Sequence, residues 1–295
     1  MKITTRVMLI SMFTNIFLAL LKVIFGILGK SSALIADGIH SFSDLITDVC
    51  AIIGSKLSNK PADLKHPYGH GKLEYVTSII ISIIILVLGC SIVSNAFNRS
   101  IVTPSIIVLI ISIITIIIKL ILSTFVIKMG KKYKNNILIS SGYESSTDVI
   151  SSVVVLISAG LMLISDKISF LKYSDIIATI IVGILIIRIG YTILKDNISI
   201  MLGEQETDKN YIDKVKKMIL KNKKVIEIDS LVLMKYGPYY KLIGEISMDS
   251  NTKLKDVHNT LDIIEDKIKA KDERIKYVTI HVNPYENIDK QKVEC

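Results

Sequence analysis

Long apolar blocks fill the first 200 positions of the chain, separated by short polar stretches. Residues 78–94 and 106–118 contain almost nothing but Ile, Leu, Val and small side chains. A bilayer core takes roughly 20 helical residues to cross. Six blocks with their flanks have that length: about 7–28, 33–57, 74–97, 104–127, 138–164 and 174–196. The first block runs from near Val7 through Lys22 to Gly29 with no small-residue cleavage site, which predicts a retained span and not a signal peptide.

After Gly203 the pattern changes. Residues 208–221 place Tyr211, Ile212, Val215, Met218 and Ile219 on one helical face. Val225 to Lys235 and Lys241 to Met248 read as antiparallel strands joined at Gly237-Pro238. Leu254 to Ile268 returns to a helical period, and Ile275 to Val282 alternates as a strand. The chain therefore divides into a six-transmembrane-helix bundle over 1–203 and a small ferredoxin-like α+β domain, ordered α-β-β-α-β, over 204–295. A sheet of three strands leaves one face or edge uncovered, and dimerisation through that face is the expected remedy.

Half of the residues are hydrophobic, and the formal charge is +9. The charge follows topology. With a cytoplasmic N-terminus, ten Lys and Arg fall in the inside segments up to Lys134 and four in the outside loops. That is the positive-inside bias, with both termini in the cytoplasm and a plasma (inner) membrane location. Lys residues of the C-terminal domain alternate with Asp256, Asp262, Glu265, Asp266, Asp272 and Glu273, a solvated surface and not a nucleic-acid patch. Cys50, Cys90 and Cys295 are scattered and imply neither a disulfide framework nor a thiolate cluster.

Spans 2 and 5 depart from the apolar pattern. Span 2 carries Asp37, His40, Asp44 and Asp48, and span 5 carries Glu144 and Asp148. His40/Asp44 and Glu144/Asp148 are both i, i+4 pairs, so each projects from one helical face. Helix capping or pairing with Lys and Arg would explain a single such acid. Two matched pairs point instead to a cation site, because a charge at the bilayer centre costs at least ~2.5 kcal/mol. One imidazole with carboxylates suits Zn²⁺, Fe²⁺, Mn²⁺ or Co²⁺. The loop between spans 2 and 3 adds Asp63, His66 and His70 within a Pro- and Gly-held segment, which is either an ordinary turn or a second metal site.

Three strings carry a resemblance: Ala36-Asp37-Gly38 with His40-Ser41 and Asp44, the loop Pro61-Ala62-Asp63 through His66-Pro67-Tyr68-Gly69-His70-Gly71-Lys72 to Glu74, and Asp148-Val149. On these, and over nearly its whole length, the chain resembles the cation diffusion facilitator family of divalent metal transporters. The resemblance implies a homodimer that exchanges a cytoplasmic divalent metal for external protons. It implies His40, Asp44 and Asp148 as transport ligands, with Glu144 at a position usually His or Asp, and Asp63, His66 and His70 as the loop site. His258 and His281 fall at the family's regulatory metal site in the cytoplasmic domain. Asp229 and Glu245 stand where some members have His, and Asn283 where they have Asp. Zn²⁺ is the slightly favoured cargo; the oxygen-rich ligand set keeps Mn²⁺ and Fe²⁺ as alternatives. A membrane metal sensor without flux is the competing class. An intramembrane metalloenzyme is disfavoured because the chain has no His-Glu-x-x-His string.

Overall fold

The computed structural model describes residues 3–97, 102–133, 136–165 and 168–285. Six long helices come first: α1 (Ile3–Leu28), α2 (Ser32–Ser58), α3 (Leu73–Phe97), α4 (Ile106–Lys132), α5 (Asn136–Leu163) and α6 (Ser174–Met201). Then follow α7 (Lys209–Leu220), β1 (Val225–Tyr236), β2 (Tyr239–Asp249), α8 (Leu254–Lys271) and β3 (Ile275–Tyr285). This is the expected order. Several helices outrun their apolar blocks; α4 continues to Lys131 and Lys132, whose charges suit a helix C-terminus.

Five of the six long helices are long and apolar enough to cross a bilayer. The remaining one, α2, has 27 residues but carries the polar stripe. Its polar residues are sheltered: Asp37, His40, Ser41 and Ser43 are all buried. Ile80, Ile83, Ile84 and Val87 of α3 and Ile110, Ile114, Ile117 and Ile121 of α4 are exposed, as a lipid-facing surface requires.

The chain forms two compact units, 1–50 with 79–194, and 51–78 with 195–295. The core of the first unit joins Leu34 and Ala36 of α2, Ile85 of α3, Val108 of α4, Val155 of α5 and Val182 and Ile186 of α6. α4 and α5 pack as an antiparallel hairpin. Gly142 makes this closeness possible, since a Cβ there would stand 3.1 Å from Ile127 N. The Ser123 hydroxyl donates to the Gly142 carbonyl across the same contact at 2.9 Å. Asp175 of α6 caps α2, accepting from the Ser31 hydroxyl (2.6 Å) and the Ser32 amide (2.8 Å).

In the second unit, α7 and α8 cover one face of a three-stranded sheet of order β1-β2-β3. β1 and β2 are antiparallel, and β2 and β3 are parallel through the α8 crossover. Val215, Ile219, Leu233, Leu242, Ile246, Ile264 and Ile268 form its core. Gly237, at φ +73°, makes the β1–β2 turn. The expected bare face is partly covered by the loop before α3. The Tyr239 hydroxyl donates to the Tyr68 carbonyl (2.7 Å) and accepts from the Gly71 amide (3.1 Å). The Tyr75 hydroxyl accepts from the Gly237 amide at 2.6 Å.

Candidate metal centre

His40 and Asp44 lie one turn apart on α2, and Asp148 faces them from α5. One ligand atom from each comes within 4.8 Å of the others. His40 is only 4% exposed, and its Nδ1 makes no hydrogen bond among the described residues. The Asp44 carboxylate stands 3.8 Å from that nitrogen. A buried imidazole nitrogen facing two carboxylates across this gap is suited to a cation, because burying such atoms unsatisfied is costly.

Glu144, expected as the fourth member, is not brought into this group. It is exposed and lies outside the cluster. The physical reason is the packing of α5 at that turn, where Gly142 and Ser145 are buried and Gly142 meets Ser123 and Ile127 of α4. Glu144 sits about 6 Å along the helix axis from Asp148. The side chain of Asp48 lies outside the described residues, as do those of Cys50 and Cys295; Cys90 is a free thiol.

Two lysines that the apolar pattern conceals complete the site. Lys119 of α4 is 4% exposed and places its ammonium 2.9 Å from Asp148 Oδ2. Lys22 of α1 is 1% exposed and pairs with Asp37 Oδ2 at 2.8 Å. Lys22 also donates to Ser152 Oγ (2.9 Å) and Ser41 Oγ (3.3 Å), while Ser151 and Ser152 donate to Asp37. Asp37 is therefore a fully satisfied anchor joining α1, α2 and α5. The available signal was an isolated Lys inside each of two apolar runs, a costly placement that asks for a partner.

The loop residues do converge. Asp63, His66 and His70 form a second group whose ligand atoms lie within 4.8 Å of one another. The amides of His66 (2.7 Å) and Lys65 (2.9 Å) donate to Asp63 Oδ1. The His66 amide and then its ring, with the Lys65 amide, hold the Asp63 carboxyl below its ordinary pKa. His70 Nδ1 lies 3.1 Å from the Pro61 carbonyl, which can only accept, so Nδ1 carries a proton. In the neutral ring, Nε2 then presents its lone pair to Asp63 Oδ2 at 3.4 Å. Two acceptors facing each other call for a cation between them.

The C-terminal residues do not converge. Glu245 pairs with His281 in the β2–β3 register, and Asp229 accepts from Ser247 (2.9 Å) and Asn283 (3.0 Å). His258 lies on α8, on the opposite side of the sheet, and pairs with Asp262 at 3.4 Å. Among the described residues, the two groups above are those with three metal-capable side chains together.

Residues 8–202 match the cation efflux transmembrane domain, and residues 207–285 match the cation efflux protein cytoplasmic domain. The chain belongs to the cation efflux, or cation diffusion facilitator, family. It is 32% identical over 289 residues to the manganese efflux system protein MneP of Bacillus subtilis (strain 168), covering 96% of this chain and 97% of that one. It is 28% identical over 288 residues to MneS, a manganese efflux system protein of the same organism, covering 94% of each chain. Magnetosome protein MamB of Paramagnetospirillum magneticum (strain ATCC 700264 / AMB-1) is 24% identical over 275 residues, covering 92% of this chain and 90% of that one. The chain is thus a cation efflux transporter of the membrane, with the family's dimerisation domain at its C-terminal end.

Proposed function

We propose that this transporter exports Mn²⁺ from the cytoplasm in exchange for protons, as a homodimer in the plasma membrane with both termini inside. The observation that carries the proposal is the buried group of His40, Asp44 and Asp148 between α2 and α5. Its two carboxylates and one imidazole form an oxygen-rich set that admits Mn²⁺ more readily than a His-rich site would. Two relatives named as manganese efflux proteins favour Mn²⁺ over the Zn²⁺ first expected from the His40/Asp44 pair. Metal and protons compete for the same ligand atoms, so a site facing a proton-rich exterior releases its cargo. Glu144 is the proposed fourth ligand, reached by rotation of its side chain toward the Asp148 turn. Asp63, His66 and His70 form a proposed second site. In the cytoplasmic domain, Asp229, Glu245, His258 and His281 are proposed regulatory ligands that act only if dimerisation or domain motion brings them together.

The test is flux in proteoliposomes under a pH gradient, with Mn²⁺, Zn²⁺ and Fe²⁺ in parallel. The expected result is Mn²⁺ transport that exceeds Zn²⁺ transport and collapses without the gradient. Asp148→Asn is expected to abolish it. Binding without flux for every metal would favour the sensor class, and Zn²⁺ flux above Mn²⁺ flux would overturn the choice of cargo.

A further inference from the structure

Lys119 sits where a transported cation would be repelled. Its ammonium touches Asp148, one of the three side chains of the buried group, and is itself 4% exposed. The two buried lysines of the bundle are held differently. Lys22 has three partners, Asp37, Ser41 and Ser152. Among the described residues Lys119 has Asp148 alone. Among the described side chains, the Asp148 carboxylate is what holds its ammonium in place. A metal bound through Asp148 would stand about 2 Å from a carboxylate oxygen, and the ammonium now lies 2.9 Å from one. With the ammonium at 4% exposure and Asp148 at 16%, a metal on the same carboxylate and the lysine would repel each other.

We propose that Lys119 is a tethered counter-cation that competes with the divalent metal for Asp148 and is displaced each time the cargo binds. This rests on His40, Asp44 and Asp148 being the transport site. Lys119 neutralises Asp148, and His40 Nδ1, buried without a hydrogen bond among the described residues, faces the same carboxylate group. Displacement weakens binding, and the return of the ammonium speeds release. A transporter gains from this, because a site that binds too tightly turns over slowly. Lys119 is accordingly a residue that sets affinity and turnover, without being a ligand.

The experiment is Mn²⁺ flux by the full chain in proteoliposomes, resolved into KM and kcat, for wild type, Lys119→Met, Lys119→Gln, Lys119→Arg and Asp148→Asn. Removing the adjacent positive charge is expected to lower KM at least about tenfold and to lower kcat as well. Lys119→Gln, which keeps a hydrogen-bonding group, is expected to behave like Lys119→Met. Lys119→Arg, which keeps the charge, is expected to keep KM near wild type. A merely structural lysine would give a reduced kcat with unchanged or raised KM in both neutral variants, and that result overturns the proposal. If Lys119→Met does not fold, Lys119→Gln decides by the same criterion. Asp148→Asn separates the two levels. Wild-type transport by Asp148→Asn would sink the site itself, whereas its loss together with an unchanged KM in the neutral Lys119 variants would sink only the counter-cation.

Discussion

The Lys22–Asp37 pair offers the sharpest test of how the bundle is held together. The ammonium and carboxylate are 2.8 Å apart and both are 1% exposed. At an effective dielectric of ~20 their attraction is about 6 kcal/mol, set against a desolvation penalty of several kcal/mol for each ion. The pair itself is therefore worth little net, but either half alone is expensive. Lys22→Met leaves the Asp37 carboxylate buried with only the Ser151 and Ser152 hydroxyls to hold it. Such a deletion is expected to cost about 3–5 kcal/mol. Asp37→Asn strands the ammonium and is expected to cost about as much. The double variant Lys22→Met/Asp37→Asn removes both charges and is expected to cost no more than about 2 kcal/mol, a coupling too large for independent sites. Unfolding of the purified protein by SDS titration in mixed micelles provides the measurement. Single variants within about 1 kcal/mol of wild type, or costs that simply add, would refute the buried-pair account.

Three further outcomes follow from other contacts. Asp175→Ala removes the carboxylate that caps α2 through Ser31 and Ser32, and is expected to destabilise the bundle by about 1–3 kcal/mol in the same SDS titration. Tyr239→Phe removes the hydroxyl bonded to the Tyr68 carbonyl and the Gly71 amide; faster protease cleavage within residues 61–72 is expected, and unchanged cleavage would argue against docking of the loop. Arg274, first through its side chain, holds the Asp272 carboxyl below its ordinary pKa. That stability is fully present above the unfolded carboxylate pKa near 3.9 and is lost as pH falls through the lower folded value. Asp272→Asn is therefore expected to lower the melting temperature at neutral pH and to narrow its gap from wild type in strong acid, read by differential scanning fluorimetry.

The sequence exposed the architecture because the bilayer and the sheet both write simple periods. Blocks of about 20 apolar residues anticipated the long helices, and the composition change after Gly203 anticipated the α7 to β3 elements that follow them. His40, Asp44 and Asp148 were legible because an ionisable group inside such a block is conspicuous. Glu144 was legible as the i, i+4 partner of Asp148, but its distance from α2 was not. An i, i+4 spacing fixes the face of one helix but not which residues of a neighbouring helix stand opposite it. Whether His258 and His281 stand together was not legible either, since helix α8 and strand β3 put them on opposite sides of the sheet. The loop group was legible because Asp63, His66 and His70 are close in the chain and need no tertiary register to meet.

Lys22 and Lys119 were visible as letters but not as partners, because pairing across helices depends on the register of the α1–α2 and α4–α5 contacts. Their difference organises the charge of the bundle. Asp37 is fixed by a lysine that has three partners, so it can carry structure and cannot readily give up its cation. Asp148 is fixed by a lysine with one described partner, so its cation can be exchanged. A transport site needs both kinds. Permanent pairing holds α1, α2 and α5 at the distance where His40, Asp44 and Asp148 meet. Replaceable pairing, as proposed for Lys119, would keep that meeting point from standing as uncompensated negative charge. If the counter-cation proposal holds, the same site without Lys119 would bind its metal more tightly and move it less.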